Sequence, residues 1–382
     1  MNNKKILLIC IVGFCYSQNV YDVLRPYFGF NSSQILVNSI GGATVAVGHV
    51  IPGGTSNPAN MATHRFTQIQ GNFSSSEFKS GDEKNSITNF NGFHFIYPVP
   101  VYRGSLVIGG GMNREIDYMS ASRSDIFEYS EVGGLNIWRI GVALEFSNKL
   151  YIGSSIEYYK GKDEMIEFAD DSTFYFNPSY KGFGMTLGFL HNISPKFQYG
   201  ASIQIPTTLT VADRFTYSNH IETDESFTDT WHYKTKRPFV FHIGTGYFER
   251  YYSIFYEAEW SDWRNLEFSS DEIYEDDLEL PASVIINQEI SNMLLPTLSH
   301  HVGIALHIPV LPIHIYAGYQ YLPVPFSDNR YNHNLRQSYS TGFSYMVKEN
   351  FSIQASYVNY FWEYENELEE FDKFSIGIAM HY

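Results

Sequence analysis

Thirteen histidines and 41 acidic residues give this 382-residue chain raw material for metal or acid–base chemistry, but their spacing assembles neither. No His-Glu-x-x-His pair occurs, and His300-His301 and His307 lie in alternating segments where they read as strand residues. No spacing recommends a Ser/His/Asp nucleophile. The sequence therefore predicts no catalytic residue, no metal and no cofactor, and the chain is not read as an enzyme. Two other constellations are more telling. Glu145, Glu157, Glu257 and Glu259, with Arg139, fall opposite the apolar sides of their segments. They suit either a charge network that anchors something inside the fold or a simply hydrated interior. Gly41-Gly42-Ala43 and Asn57-Pro58-Ala59 form a small-residue module. Glycine allows close backbone approach, proline fixes a bend and asparagine bonds adjacent backbone, as a plug packed into a lumen requires. A generic loop is the plainer reading of the same spacing.

The elements that position these residues alternate with period two. Phe374, Ile376, Ile378, Met380 and Tyr382 share one face of a terminal strand, opposite Ser375, Gly377, Ala379 and His381. An apolar stripe ending on an aromatic suits the closing strand of a transmembrane barrel and its membrane-assembly signal, read by barrel-assembly machinery. About fourteen such segments recur from Arg65 onward, for example Phe197–Ile205, Phe239–Tyr247 and Phe351–Tyr357. Short spacers (98–102, 148–149, 194–195, 249–250, 309–311, 348–350) alternate with long ones (77–85, 114–134, 161–179, 212–230, 264–297, 323–336, 362–370). Tight turns at one end and long loops at the other are the outer-membrane layout. Tyr97, Tyr102, Phe146, Tyr151, Phe197, Phe248, Tyr251 and Phe351 crowd the short-turn end, as an aromatic girdle would.

Composition agrees. No apolar run reaches the ~18 residues of a spanning helix, so a membrane reading has to be a barrel. Residues 1–17 read as a signal peptide, with Lys4 and Lys5, an apolar stretch Ile6–Phe14 and the small-x-small site Cys15-Tyr16-Ser17. Both cysteines lie in it, and without its two lysines the chain keeps 23 basic residues against 41 acidic, a net −18. That balance disfavours nucleic acid. The expected organisation is signal peptide 1–17, hatch or plug 18–64 and transmembrane antiparallel β-barrel 65–382, an all-β protein of the bacterial outer membrane. Acidic clusters (Asp163, Glu164, Glu167; Glu222, Asp224, Glu225; Asp271 to Glu279; Glu363 to Glu370) fall in the long spacers. They are solvated tips or, more sharply, divalent-cation bridges to lipopolysaccharide. The 281–295 segment suits a short amphipathic helix capping the barrel mouth.

The Gly41-Gly42-Ala43 and Asn57-Pro58-Ala59 pair, the Lys236–Gly244 run leading to Glu259-Trp-Ser-Asp-Trp263, and Ile315–Tyr321 followed by Pro323-Val-Pro325 together resemble the FadL/TodX family of outer-membrane channels for hydrophobic compounds. The resemblance implies a 14-stranded barrel with a hatch in its lumen and lateral release of ligand through a wall gap near the third strand. It makes Gly41, Gly42, Ala43, Asn57, Pro58 and Ala59 the hatch residues and Gly109-Gly110-Gly111 the gap candidates. Phe28, Phe30, Ile35 and Leu36 are the ligand-contact candidates. The implied partners are a hydrophobic small molecule, such as a long-chain fatty acid or aromatic hydrocarbon, and outer-membrane lipid with lipopolysaccharide. PorV-like relatives imply a second reading, a barrel serving secretion-system components. Asn60 departs from the pattern, standing where relatives often have a small residue.

Overall fold

A computed structural model describes residues 19–382, apart from 32–33, 49, 51–55, 124–126, 170–171, 220–225, 272–280, 328–334 and 365–366. The signal-peptide reading, the acidic stretches at 222–225 and 272–279 and Gly53-Gly54 lie outside the described residues. Fourteen staves form one antiparallel sheet. They are β1 (Gln68–Ser80), β2 (Glu83–Val99), β3 (Leu106–Arg123), β4 (Phe127–Ser147), β5 (Leu150–Ala169) and β6 (Ser172–Ser194), then β7 (Phe197–Gln204 continuing as Thr208–Asn219), β8 (Ser226–Lys236 continuing as Val240–Phe248) and β9 (Tyr252–Asp262 continuing as Glu267–Ser270). The last five are β10 (Pro296–Ile308), β11 (Ile313–Pro323), β12 (Leu335–Lys348), β13 (Phe351–Tyr364) and β14 (Glu367–His381). β14 pairs with β1 from Glu369↔Ser80 to His381↔Gln68, which closes the barrel.

Alternation sorts the side chains. On β14, Phe374, Ile376 and Ile378 point outward at about half exposure, while Ser375 and Ala379 are 1% exposed inside. The outward set continues around the wall through Phe73, Phe95, Ile140, Ile243 and Val302. An apolar band on the outside with small and polar residues within is a transmembrane barrel of the outer-membrane kind. A closed ladder of this kind, with most wall backbone groups paired to a neighbour, should resist detergent. Unboiled protein in SDS should therefore migrate apart from a boiled sample; a single band in both lanes would contradict the closed barrel.

Four of the seven long spacers are strand rather than loop among the described residues. β4 has 21 residues and β6 has 23, roughly 75 Å of chain at ~3.3 Å each, so the wall extends far past an apolar band ~25 Å tall. The spacers expected at 77–85, 114–134, 161–179 and 362–370 are strand almost throughout, and Asp163, Glu164 and Glu167 stand on β5. The outward face there is merely polar, which a search for apolar alternation reads as the end of a strand. Two neighbouring staves, β7 and β8, break where continuous strands were expected, and β9 breaks at the end of its expected strand and resumes in the expected spacer. Pro206 and Pro238 lack the N–H that a ladder needs, and a 3-10 turn, Trp263–Asn265, interrupts β9.

Residues 19–64 thread the lumen. α1 (Val20–Leu24) lies at the long-strand end; its cap Asn19 accepts from the Tyr21 and Asp22 backbone N–H groups. α2 (Ile35–Ser39) packs on β11 to β13, and a 3-10 turn, Pro58–Thr63, sits against β4, β5 and β6. The expected mouth helix is present as α3 (Ala282–Met293). Its buried Ala282, Ile286 and Ile290 join Val20, Val23 and Leu24 in one apolar cluster. Asn287 pairs with both backbone groups of Phe268, substituting for a neighbouring strand at 2.8 and 2.9 Å.

Candidate functional site: a seated hatch, a wall seam and an aromatic cavity

The hatch is held by backbone contacts at which side chains would collide. A methyl placed on Gly188 would overlap Asn57, one on Gly200 the Val45 carbonyl, one on Gly318 the Gly41 amide and one on Gly342 the Ser39 side chain. These wall glycines stand on four different staves and leave room for a buried chain. Gly41 and Gly42 have φ of 61° and 73°, a left-handed turn that glycine adopts freely.

Polar groups fix the register of this seat. Glu257 on β9 accepts from the Thr44 N–H at 2.6 Å and the Val45 N–H at 2.7 Å. His242 donates through Nδ1 to the same carboxylate at 2.8 Å, and His301 donates through Nδ1 to the Gly41 carbonyl at 2.9 Å. Asn57 donates to the carbonyls of Val45 (2.7 Å) and Phe189 (2.9 Å), and its Oδ1 caps the following turn at the Ala59 N–H. Pro58 opens that turn, where a missing N–H is no loss. Asn60, the departure noted in the sequence, donates to the Thr44 carbonyl at 2.8 Å and accepts from the Gly48 N–H at 3.1 Å. Arg139 and Glu157 pair inside the lumen at 2.9 Å. Glu145 instead meets Arg65 at 3.2 Å, near the turn end. Ala43 is buried between the hatch and the wall.

The wall opens on one seam. β2 and β3 pair from Val99↔Leu106 to Gly92↔Asn113 and no further. There a bulge in β2 turns Asn91 into the interior, because Asn72 pairs with Gly92 and Phe73 with Phe90. Gly92 has φ 148°, and a Cβ on it would overlap the Met112 carbonyl. Above this point the free edge of β3 takes a different partner, the hatch itself, with Phe30↔Asp117 and Asn31↔Ile116. Lys373 reaches from β14 to Asp117 at 2.8 Å and to Asn91 at 3.2 Å, and Arg114 bonds the other Asp117 oxygen. Asn85 extends across the seam towards the Ser120 carbonyl at 3.5 Å and the Glu131 carbonyl at 2.9 Å.

The expected gap residues are placed differently. Gly109, Gly110 and Gly111 are paired on both sides, with Ile96, Phe95 and His94 on β2 and with Gly141, Ile140 and Arg139 on β4. They lie just below the seam, where Gly109 and Gly141 make room for Met61 of the hatch. The separation of strands starts at Asn91, Gly92 and Asn113, a bulge that no single residue type announces.

Behind the seam lies a cavity of about 430 Å³. The hatch lines it with Tyr21 and Phe28 to Phe30, the wall with Phe78, Tyr118, Tyr129, Trp362 and Tyr364, and the segment after β11 with Phe326. Phe30 stacks on Phe371 at 4.0 Å between ring centres, and the Arg336 guanidinium lies 3.9 Å over the Phe28 ring. Of the four ligand-contact candidates, Phe28 and Phe30 line this cavity. Ile35 and Leu36 are buried elsewhere, packed with Val37 and Ile40 against Phe255 and Tyr316. A second chamber of about 160 Å³ beneath it is polar, bounded by Arg139, Arg237, His242, Glu257, Glu259 and His301. Among the described residues no cluster of three or more His, Cys, Asp or Glu is arranged to hold a metal.

No protein-family model matches the sequence, and no curated protein matches it significantly. Solved structures do match the fold. The toluene transporter TodX of Pseudomonas putida superposes with a TM-score of 0.65 at 12% identity, covering 93% of this chain and 98% of that one. A FadL homologue from Pseudomonas aeruginosa gives 0.67 at 11% identity, with 92% and 99% covered. The toluene transporter TbuX of Ralstonia pickettii gives 0.64 at 13%, with 93% and 98% covered. At these identities the likeness establishes a common fold, with almost the full length of each chain in register.

Proposed function

We propose that this chain, a barrel with the fold of the toluene transporters and the FadL homologue, is an outer-membrane channel for passive uptake of hydrophobic small molecules. The observation that carries this reading is the conjunction of an aromatic cavity with a break in the wall beside it. The lumen below is filled by the hatch and by charged groups, a path on which an apolar ligand would lose its contacts. The seam offers a way out sideways, from the cavity past Phe30 and Asn91 into the membrane. The ligand is a long-chain fatty acid or an aromatic hydrocarbon, and TodX and TbuX, which share the fold, are toluene transporters.

The test uses the absence of cysteine after residue 17. Asn85→Cys with Ser120→Cys places a unique pair across the seam. Oxidation should lower uptake of labelled toluene by cells at equal surface levels roughly tenfold or more, and reductant should restore it, since a blocked exit removes the only apolar route. Equal uptake in both states, with the disulfide formed, would remove lateral release from the reading. Secreted proteins accumulating in the periplasm of a deletion strain, with uptake unchanged, would favour the secretion role instead.

A further inference from the structure

The cavity contains charged groups, and the way they are committed decides what it can hold. Arg25, the C-cap of α1, donates from Nε to Asp163 at 2.6 Å and from Nη2 to Glu131 at 2.5 Å and to the Tyr129 hydroxyl at 3.3 Å. Glu131 is also bonded by Ser120. Arg336 lies flat on Phe28 and donates to the Gly29 carbonyl at 3.3 Å. Glu369 accepts from the Trp362 indole at 2.7 Å and from Ser80 at 3.3 Å. Among the described residues that line the cavity, two guanidinium groups stand with two carboxylates, Asp163 lies behind Arg25, and both guanidinium groups are already engaged, Arg25 by acids and Arg336 by the Phe28 ring and the Gly29 carbonyl. Asp163 is wholly buried, and its Oδ1 has no hydrogen-bond partner, so the surroundings of Arg25 hold more acceptors than donors.

We infer that Glu131 and Asp163 are specificity-determining residues that occupy Arg25 and so select uncharged ring compounds over carboxylate-bearing ligands. This rests on the channel reading above and names its ligand class. A carboxylate entering the cavity would give up its hydration beside Glu131 and Glu369, with Arg25 already paired to acids and Arg336 stacked on Phe28. A neutral ring loses nothing comparable and gains stacking area against Phe28, Phe30, Tyr118 and Trp362. The chemistry reverses if the acids are removed, because Arg25 then presents its fork to the cavity and a planar carboxylate is its natural partner.

The experiment compares naphthalene with 2-naphthoate, which share a ring system and differ by one ionised group. Binding is measured by calorimetry on the full chain in detergent at about pH 8, where the naphthoate is fully ionised. Wild type should bind naphthalene at least about tenfold more tightly than naphthoate. Glu131→Gln should raise the naphthoate-to-naphthalene affinity ratio by about fivefold or more, and Asp163→Asn, which lies behind Arg25 rather than in the cavity, should move it the same way. Migration of unboiled protein in SDS checks that each variant is folded. Wild type preferring naphthoate, or ratios unmoved in both folded variants, would overturn the assignment while leaving a hydrophobic channel in place. Neither compound binding to folded wild type would overturn the assignment together with the channel reading.

Discussion

Glu257→Ala will unseat the hatch from a barrel that stays closed. The carboxylate accepts two consecutive hatch N–H groups and the His242 imidazole, all buried. Alanine leaves the Thr44 and Val45 amides without an acceptor, at about 1–3 kcal/mol each, hence about 2–6 kcal/mol for the pair. The ladders of β9 with β8 and β10 run through backbone groups, so they survive loss of the Glu257 side chain and of its bond to His242. The expected result is cleavage of the 41–60 segment by added protease, with a new ion conductance in planar bilayers, both raised about tenfold or more. The gel shift of unboiled protein should persist. Glu257→Gln, which retains one acceptor oxygen, should fall between. Cleavage and conductance at wild-type levels in the alanine variant would show that the glycine seat alone holds the hatch.

Lys373→Met should lower stability by about 3–5 kcal/mol, the usual consequence of removing one member of a buried ion pair. The side chains of Lys373 and Asp117 are both fully buried, and the lysine ties β14 to the free edge of β3. Arg114 still bonds Asp117 in the variant, which places the expected value towards the lower end. Urea unfolding in lipid vesicles measures it. A loss below about 1 kcal/mol would mean that water reaches Asp117 through the seam and replaces the ammonium group.

The barrel was legible because dyad alternation survives wherever the outer face meets lipid. Phe374, Ile376 and Ile378 show it at one end of the sheet and Ile69 and Phe73 at the other. It vanished where strands leave the membrane: Tyr129, Glu131 and Asp163 stand on staves whose outer face is no longer apolar, so their residues read as loop. The cavity's polar determinants were hidden by this, since all three lie in regions taken as spacer. The seam was missed for a different reason. A glycine triplet suggested weak pairing, but Gly109 to Gly111 serve close packing against Met61, and the ladder ends one bulge away at Asn91. Ile35 and Leu36 look like ligand-binding residues by composition alone; only the path of the chain shows that Tyr316 and Phe255 already cover them. The wall glycines had a signal, for Gly200, Gly244 and Gly377 occupy the small-residue faces of their strands.

The seat also orders assembly in time. The hatch is the first part of the described chain to be made, yet Ile35 rests against Gly377 on the final strand and Asn57 against Phe189 on the sixth. Its binding surface is complete only once β14 is in place. The contact between Ile35 and Gly377 spans more of the chain than the Gln68–His381 pair that closes the barrel, and such contacts form late because loop closure has to precede them. During synthesis and insertion the segment must therefore wait as an unpartnered chain. Complete docking of the hatch is expected as a late step, one that can fail without the wall failing.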